Sequence, residues 1–149
     1  MPRYVIVGCL TIDHIIRGSG GEPVIQIGGD GYYGAAGARI WSGDVGIASV
    51  IPSTYPREFI DRLADSGIDT SGIVRMNHKK GFEGTIEYRD DGSRVLGAAT
   101  GVFKFLQDYL PWLLSLAAGP YWEKVSPQAE LVPESYLDAR GVFLASMAY

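Results

Sequence analysis

The chain has 149 residues, of which 46% are hydrophobic and 20% charged, a composition typical of one folded domain and not of a disordered segment. Its formal net charge of −4 argues against nucleic-acid binding, because the phosphate backbone attracts basic proteins. The single cysteine, Cys9, excludes an internal disulfide bond and fits a reducing compartment, so we expect a cytoplasmic protein.

The first third of the chain alternates extended and helical patterns. Residues 4–10 form an apolar, β-branched run that predicts a buried strand ending near Asp13, and residues 23–27 predict a second short strand. A glycine-rich break at residues 28–31 precedes a predicted helix. Its small and apolar residues have the spacing of a buried helical stripe, which comprises Tyr33, Ala36, Gly37, Ile40 and Trp41.

The middle of the chain continues the alternation of strands and helices. Residues 45–51 predict a third strand, and Pro56 suits the first turn of a helix that ends at Gly67. The predicted buried stripe of this helix comprises Phe59, Ile60, Leu63 and Ala64.

The second half predicts a strand from Ile73, a hairpin of strands 84–88 and 94–96, a helix over residues 102–118 and a final strand over residues 142–145. The apolar stretch of that helix is too short for a membrane span, which needs roughly 20 residues. Strands that alternate with helices indicate an α/β fold with a largely parallel sheet.

Asp13 is the first candidate for a binding residue. It follows the first predicted strand, and ligands of open α/β sheets bind outside the carboxyl ends of the strands. A carboxylate at this place accepts hydrogen bonds from substrate hydroxyls. The alternative is a surface acid that caps a turn.

The run Gly28-Gly29-Asp30-Gly31 is the second candidate. Glycines allow a ligand to approach the backbone, and the positive end of the following helix points at them. The alternative is a tight turn between strand and helix. The run is neither a dinucleotide fingerprint nor a P-loop.

One cysteine and two histidines without ligand spacing predict no metal site.

Several motifs, in this order, resemble the N-terminal half of the ribokinase-like (PfkB-type) sugar and nucleoside kinases. Residues 5–13 are similar to the family's opening strand, glycine and aspartate, and Gly28-Gly29 with residues 33–39 resemble its di-glycine signature and helix. Residues 67–73 resemble the family pattern G-I-D-T-x-G-V. Residues 136–145 resemble the strand that follows in the family.

The resemblance implies an α/β, ribokinase-like fold in which this half holds the acceptor, a sugar or nucleoside-like hydroxyl compound. The implied acceptor-binding residues are Asp13, Gly28, Gly29, Asp30 and Tyr33, and segments 14–27 and 84–97 correspond to a small β lid. At Tyr33 many family members have asparagine. Residues 51–54 replace a glycine and aspartate common in the family, so the usual substrate choice does not carry over.

The resemblance assigns the catalytic G-x-G-D element, ATP and Mg²⁺ to a second half that this sequence lacks. We therefore expect no catalytic residue here, no phosphoryl transfer by this chain alone, and a poorly stable monomer that pairs through its lid or sheet edge. Two alternatives stay open, which are a non-catalytic binding module derived from the kinase fold and an unrelated α/β protein.

Overall fold

The computed structural model describes residues 1–18, 21–77, 83–96 and 126–145, and these contain two four-stranded sheets and two α-helices. The strands of the first sheet are β1 (Tyr4–Val7), β4 (Val45–Pro52), β5 (Ile68–Met76) and β8 (Gly141–Leu144). Their order is β5-β4-β1-β8, and every pairing among them is parallel. The predicted α/β class with a parallel sheet is confirmed.

The second sheet is mixed. Its strands are β2 (Thr11–Arg17), β3 (Val24–Gly28), β6 (Glu83–Tyr88) and β7 (Arg94–Leu96), in the order β3-β2-β6-β7. The central pair, β2 and β6, is parallel, whereas each outer strand pairs antiparallel with its neighbour. The predicted hairpin of β6 and β7 is therefore confirmed, and the lid role of this sheet remains a prediction.

The prediction of one strand that runs from residue 4 to residue 10 and delivers Asp13 at its end is wrong. The first strand stops at Val7, and Asp13 lies within β2 in the other sheet. The hydrophobic pattern does not reveal the break, because Cys9 and Leu10 are buried in the connection just as strand residues are. The backbone N–H of Cys9 bonds instead to a side chain of the first helix, and this ends the sheet pairing.

Two helices pack on one face of the first sheet, namely α1 (Asp30–Trp41) and α2 (Arg57–Asp65). In α2 the buried residues are Phe59 and Leu63, as the periodicity predicts. They join strand residues such as Ile47 in the main hydrophobic core. Burial of such apolar side chains stabilises each by about 1.5–3 kcal/mol.

The predicted buried stripe of α1 is wrong. Its buried residues are Gly31 and Ala35, whereas Tyr33 is 53% exposed and Trp41 is 90% exposed. The helix buries Gly31 and Ala35, because small residues permit a close approach of the helix to its neighbours. Tyr33, Ile40 and Trp41 are exposed, whereas Tyr32 packs against the main core.

Two 3₁₀ turns, Ala129–Leu131 and Glu134–Tyr136, precede β8. On the opposite face of the first sheet pack Tyr136 and, partly buried, Val132 and Ala139. Tyr136 is 1% exposed and packs against Val5 and Ala48. Its hydroxyl donates to the carbonyl oxygen of Asp69 at 3.0 Å and accepts from the backbone N–H of Gly72 at 3.3 Å. This side chain thus connects the final segment of the sequence to β5.

The predicted final strand is confirmed as β8. Val142, Phe143 and Leu144 are all exposed, and β8 forms one edge of the described sheet. Between β8 and the outer side of α1 lies an apolar groove of about 510 Å³.

The predicted helix 102–118 lies outside the described residues. Among the residues described, no helix is long and apolar enough to cross a bilayer.

Replacement of Tyr136 by Phe tests how strongly the last segment is fixed to the sheet. The substitution removes a hydroxyl that satisfies two buried backbone groups, so we expect the free energy of unfolding to fall by about 1–3 kcal/mol. Urea unfolding followed by circular dichroism measures the change. Tyr4→Phe, at a partly exposed ring, is the control, and equal stability of the two variants would contradict the assignment.

Self-association through the β8 edge is a second expectation from the fold. An exposed apolar edge strand pairs readily with other chains, and a lysine on it opposes pairing. We expect Leu144→Lys to lower the light scattering of a concentrated solution. Leu137→Lys is the matched control, because Leu144 is 73% exposed and Leu137 is 72% exposed. An equal effect of both lysines would mean that the edge does not drive association.

Candidate functional site

Asp13 is a buried carboxylate in the second sheet. It is the third residue of β2 and is 7% exposed. In the strand pairing it lies opposite Gln26 of β3 and opposite Gly84 of β6. The hydroxyl of Thr11, on the same face of β2, donates to Asp13 Oδ1 at 2.7 Å. A buried carboxylate requires hydrogen-bond donors. Thr11 supplies one to Oδ1 and leaves capacity at the carboxylate for a ligand hydroxyl.

Tyr33, an exposed residue of α1, lies beside Gln26, the residue opposite Asp13 in the strand register. Its hydroxyl accepts a hydrogen bond from Gln26 Nε2 at 3.3 Å, and its ring packs against that of Tyr32, with centroids 5.1 Å apart. Partial burial raises the pKa of Tyr33, and the negative charge of Asp13 raises it further. The phenol therefore stays protonated near the carboxylate and is able to donate a hydrogen bond to a ligand.

Gly28 and Gly29 are required by the packing of the protein itself. A Cβ atom on Gly28 would collide with the carboxylate of Asp13, and one on Gly29 would collide with the carbonyl oxygen of Cys9. Gly29 also has a φ of 93°, in a region that favours glycine. Gly29 is thus needed for the fold itself, whereas Gly28 is needed for the position of the Asp13 side chain, whether or not a ligand approaches either residue.

Asp30 is directed at the protein backbone. Its Oδ1 accepts from the N–H of Cys9 at 2.7 Å and from the N–H of Gly31 at 2.8 Å. Burial and the nearby charge of Asp30 raise the pKa of the Cys9 thiol to about 11. That thiol therefore remains protonated at neutral pH, and thiolate chemistry is not favoured here.

Tyr55 contacts the site from the turn between β4 and α2. Its hydroxyl donates to the backbone carbonyl of Thr11 at 3.1 Å. Burial raises the pKa of Tyr55, the charge of Asp13 raises it further, and Arg75 opposes the rise. The electrostatic influence of Asp13 thus reaches the hydroxyls of both Tyr33 and Tyr55.

The structure brings four of the five predicted residues into one region. Asp13, Gly28, Gly29 and Tyr33 surround the same end of the second sheet, and Asp30 supports the region from behind. A carboxylate acceptor and a phenol donor side by side suit a polyhydroxylated ligand. Among residues 1–18, 21–77, 83–96 and 126–145, no group of three or more His, Cys, Asp or Glu is placed to hold a metal.

The sequence interpretation missed Thr11, Gln26 and Tyr55. Thr11 was detectable, since residues two apart in a strand share a face. Gln26 was detectable once β2 and β3 were aligned as a hairpin, because it lies directly opposite Asp13. Tyr55 gave no local signal, because its contact with Thr11 joins residues 44 positions apart and depends on tertiary packing.

The sequence matches no protein-family model, and no curated protein matches it either. Solved structures do match. The ribokinase from Cryptococcus neoformans var. grubii serotype A, in complex with ADP, superposes with a TM-score of 0.55 at 17% identity, over 64% of this chain and 34% of that chain. The fructokinase with bound ATP from Xylella fastidiosa superposes with a TM-score of 0.53 at 21% identity, over 65% of this chain and 33% of that chain.

A nucleoside kinase from Burkholderia thailandensis, in complex with inosine, superposes with a TM-score of 0.53 at 13% identity, over 63% of this chain and 35% of that chain. The chain thus spans about a third of the length of the solved chains that it matches. The shared architecture is the parallel sheet with its helices together with the mixed second sheet. The described residues therefore adopt part of the ribokinase-like α/β fold.

Proposed function

We propose that this chain is the acceptor-binding part of an ATP-dependent kinase that phosphorylates a hydroxyl of a sugar or nucleoside-like compound. The observation that carries the proposal is the buried carboxylate of Asp13, hydrogen-bonded by Thr11 and flanked by the protonated phenol of Tyr33. Solved proteins with this fold include a ribokinase, a fructokinase and a nucleoside kinase. Sugars and ribonucleosides carry several hydroxyls, which can bond to a carboxylate acceptor and a phenol donor.

Asp13 accepts hydrogen bonds from the acceptor hydroxyls in this proposal, and the backbone at Gly28 and Gly29 forms the floor of the site. Tyr33 covers the ligand from the exposed side and donates through its hydroxyl. Asp30 holds the connection behind the glycines, a role that differs from direct ligand contact because Oδ1 already binds two backbone N–H groups. The second sheet acts as a lid that excludes water from the bound acceptor.

We assign ATP and Mg²⁺ to none of the described residues in this proposal. These residues offer no metal-binding group of three or more donors, and we assign no step of phosphoryl transfer to them. Transfer additionally needs a base and a site for the transferred phosphate. We propose that those groups lie in polypeptide beyond the described residues, that this part alone transfers no phosphate, and that it acts in the cytoplasm.

Replacement of Asp13 by Asn tests the acceptor site directly. The loss of a charge-assisted hydrogen bond costs roughly 1.5–3 kcal/mol, so acceptor affinity should fall about tenfold or more. We would titrate D-ribose, D-fructose and inosine by calorimetry. Asp61→Asn, at an exposed position of α2, is the control and should bind like wild type. An unchanged affinity of the Asp13 variant would refute the proposal.

Replacement of Gly28 by Ala tests the placement of the carboxylate. The added methyl group must displace the Asp13 side chain, so we expect acceptor affinity to fall by about tenfold or more. Gly37→Ala is the matched control, because nothing lies within 4 Å of its Cβ position and alanine favours a helix. Normal binding by the Gly28 variant, with NMR spectra like wild type, would show that Asp13 does not need this geometry.

A further inference from the structure

Three interactions in series link the end of the first sheet to the carboxylate of Asp13. Arg75, near the end of β5, donates through Nη1 to the carbonyl oxygen of Tyr55 at 2.8 Å and to that of Ser53 at 3.3 Å. The Tyr55 hydroxyl donates to the carbonyl oxygen of Thr11 at 3.1 Å. The Thr11 hydroxyl then donates to Asp13 Oδ1 at 2.7 Å.

This series crosses between the two sheets. Tyr55 belongs to the turn after β4 in the first sheet, and Thr11 is the first residue of β2 in the second sheet. Tyr55 therefore fixes Thr11 at the point where the second sheet begins. Because the Thr11 hydroxyl bonds to Asp13, the position of Thr11 also sets the orientation of the carboxylate.

We propose that Tyr55 is a positioning residue for the acceptor site and that it acts on Asp13 through Thr11. The inference rests on the proposed function, since it concerns the same carboxylate. Tyr55 is 3% exposed, so an acceptor has no access to most of its ring, and its effect on binding is indirect. Arg75 supports it by holding the turn that carries Tyr55.

The chain offers a matched comparison for this role. Tyr55 and Tyr136 are both buried tyrosines whose hydroxyls donate to a backbone carbonyl, at 3.1 Å and 3.0 Å respectively. Tyr136 lies on the opposite face of the first sheet, in the smaller hydrophobic cluster. Removal of either hydroxyl destabilises the fold, but only the Tyr55 hydroxyl leads to the acceptor site.

The experiment compares Tyr55→Phe with Tyr136→Phe. The ring of Tyr55 packs edge-on against Phe59, with centroids 6.0 Å apart, and phenylalanine keeps that packing. We expect both variants to melt at a lower temperature, and we expect acceptor affinity to fall about three- to tenfold in Tyr55→Phe alone. Thr11→Val should weaken binding similarly, whereas Thr11→Ser, which keeps the hydroxyl, should bind like wild type.

A spectroscopic readout keeps the test independent of the acceptor. The ¹³C chemical shift of the Asp13 carboxyl carbon should change in Tyr55→Phe and remain at its wild-type value in Tyr136→Phe. Arg75→Met, at an exposed side chain, is a second variant that perturbs the same turn without altering the core, and it should move the Asp13 signal in the same direction.

The outcomes separate the two proposals. An Asp13 signal that does not respond to Tyr55→Phe or Arg75→Met overturns the positioning role of Tyr55, whatever the acceptor data show. Equal losses of affinity in Tyr55→Phe and Tyr136→Phe also overturn it, because the effect would then be one of general stability. Normal acceptor binding by Asp13→Asn, together with a shifted Asp13 signal in Tyr55→Phe, overturns the proposed function and leaves the positioning role intact.

Discussion

The connection between β1 and β2 is the constraint on which the rest of the structure depends. Three hydrogen bonds hold its backbone. The N–H of Gly8 donates to the carbonyl oxygen of Ala48, and the N–H of Cys9 donates to Asp30 Oδ1. The hydroxyl of Tyr55 donates to the carbonyl oxygen of Thr11, where β2 begins. The N–H of Gly31 also donates to the carbonyl oxygen of Cys9 at 3.0 Å. Buried backbone groups need partners, and here those partners come from β4, from α1 and from the turn that precedes α2.

The placement of the candidate site follows from that constraint. The start of α1 can contact Cys9 only if the chain there approaches without side chains, which Gly29 and Gly31 permit. The same approach brings the end of β3 against β2, so that Gly28 faces the carboxylate of Asp13. Local backbone packing and ligand chemistry therefore select the same residues, and glycine at these positions is not by itself evidence of a ligand.

The sequence predicted the alternation of elements well and their boundaries less well. The strand β4 and the helix α2 have strong periodic patterns and were found, because burial on one or both faces follows directly from residue type. The break at Gly8 was missed because the connection is as apolar as a strand. The outer face of α1 was misassigned because Ile40 and Trp41 are apolar but exposed among the described residues.

The candidate site was predicted in part for a similar reason. Asp13 and the glycines lie in short motifs that can be recognised from the amino-acid sequence alone. The partners of Asp13 depend on which strands pair and on how the two sheets meet. Strand pairing places Gln26 opposite Asp13, and the meeting of the sheets brings Tyr55 to Thr11. Only a three-dimensional arrangement contains that information.

Tyr33 borders two surfaces, which are the region beside Asp13 and the apolar groove between α1 and β8. Its hydroxyl contacts Gln26 beside Asp13, while its ring lines the apolar groove between α1 and β8. Anything that fills the groove changes the freedom of the same ring that borders the carboxylate. Two ligands that each shift this ring, one in the groove and one at the carboxylate, would alter each other's affinity by the same factor in both directions. Tyr33 is therefore the described side chain through which such coupling would pass.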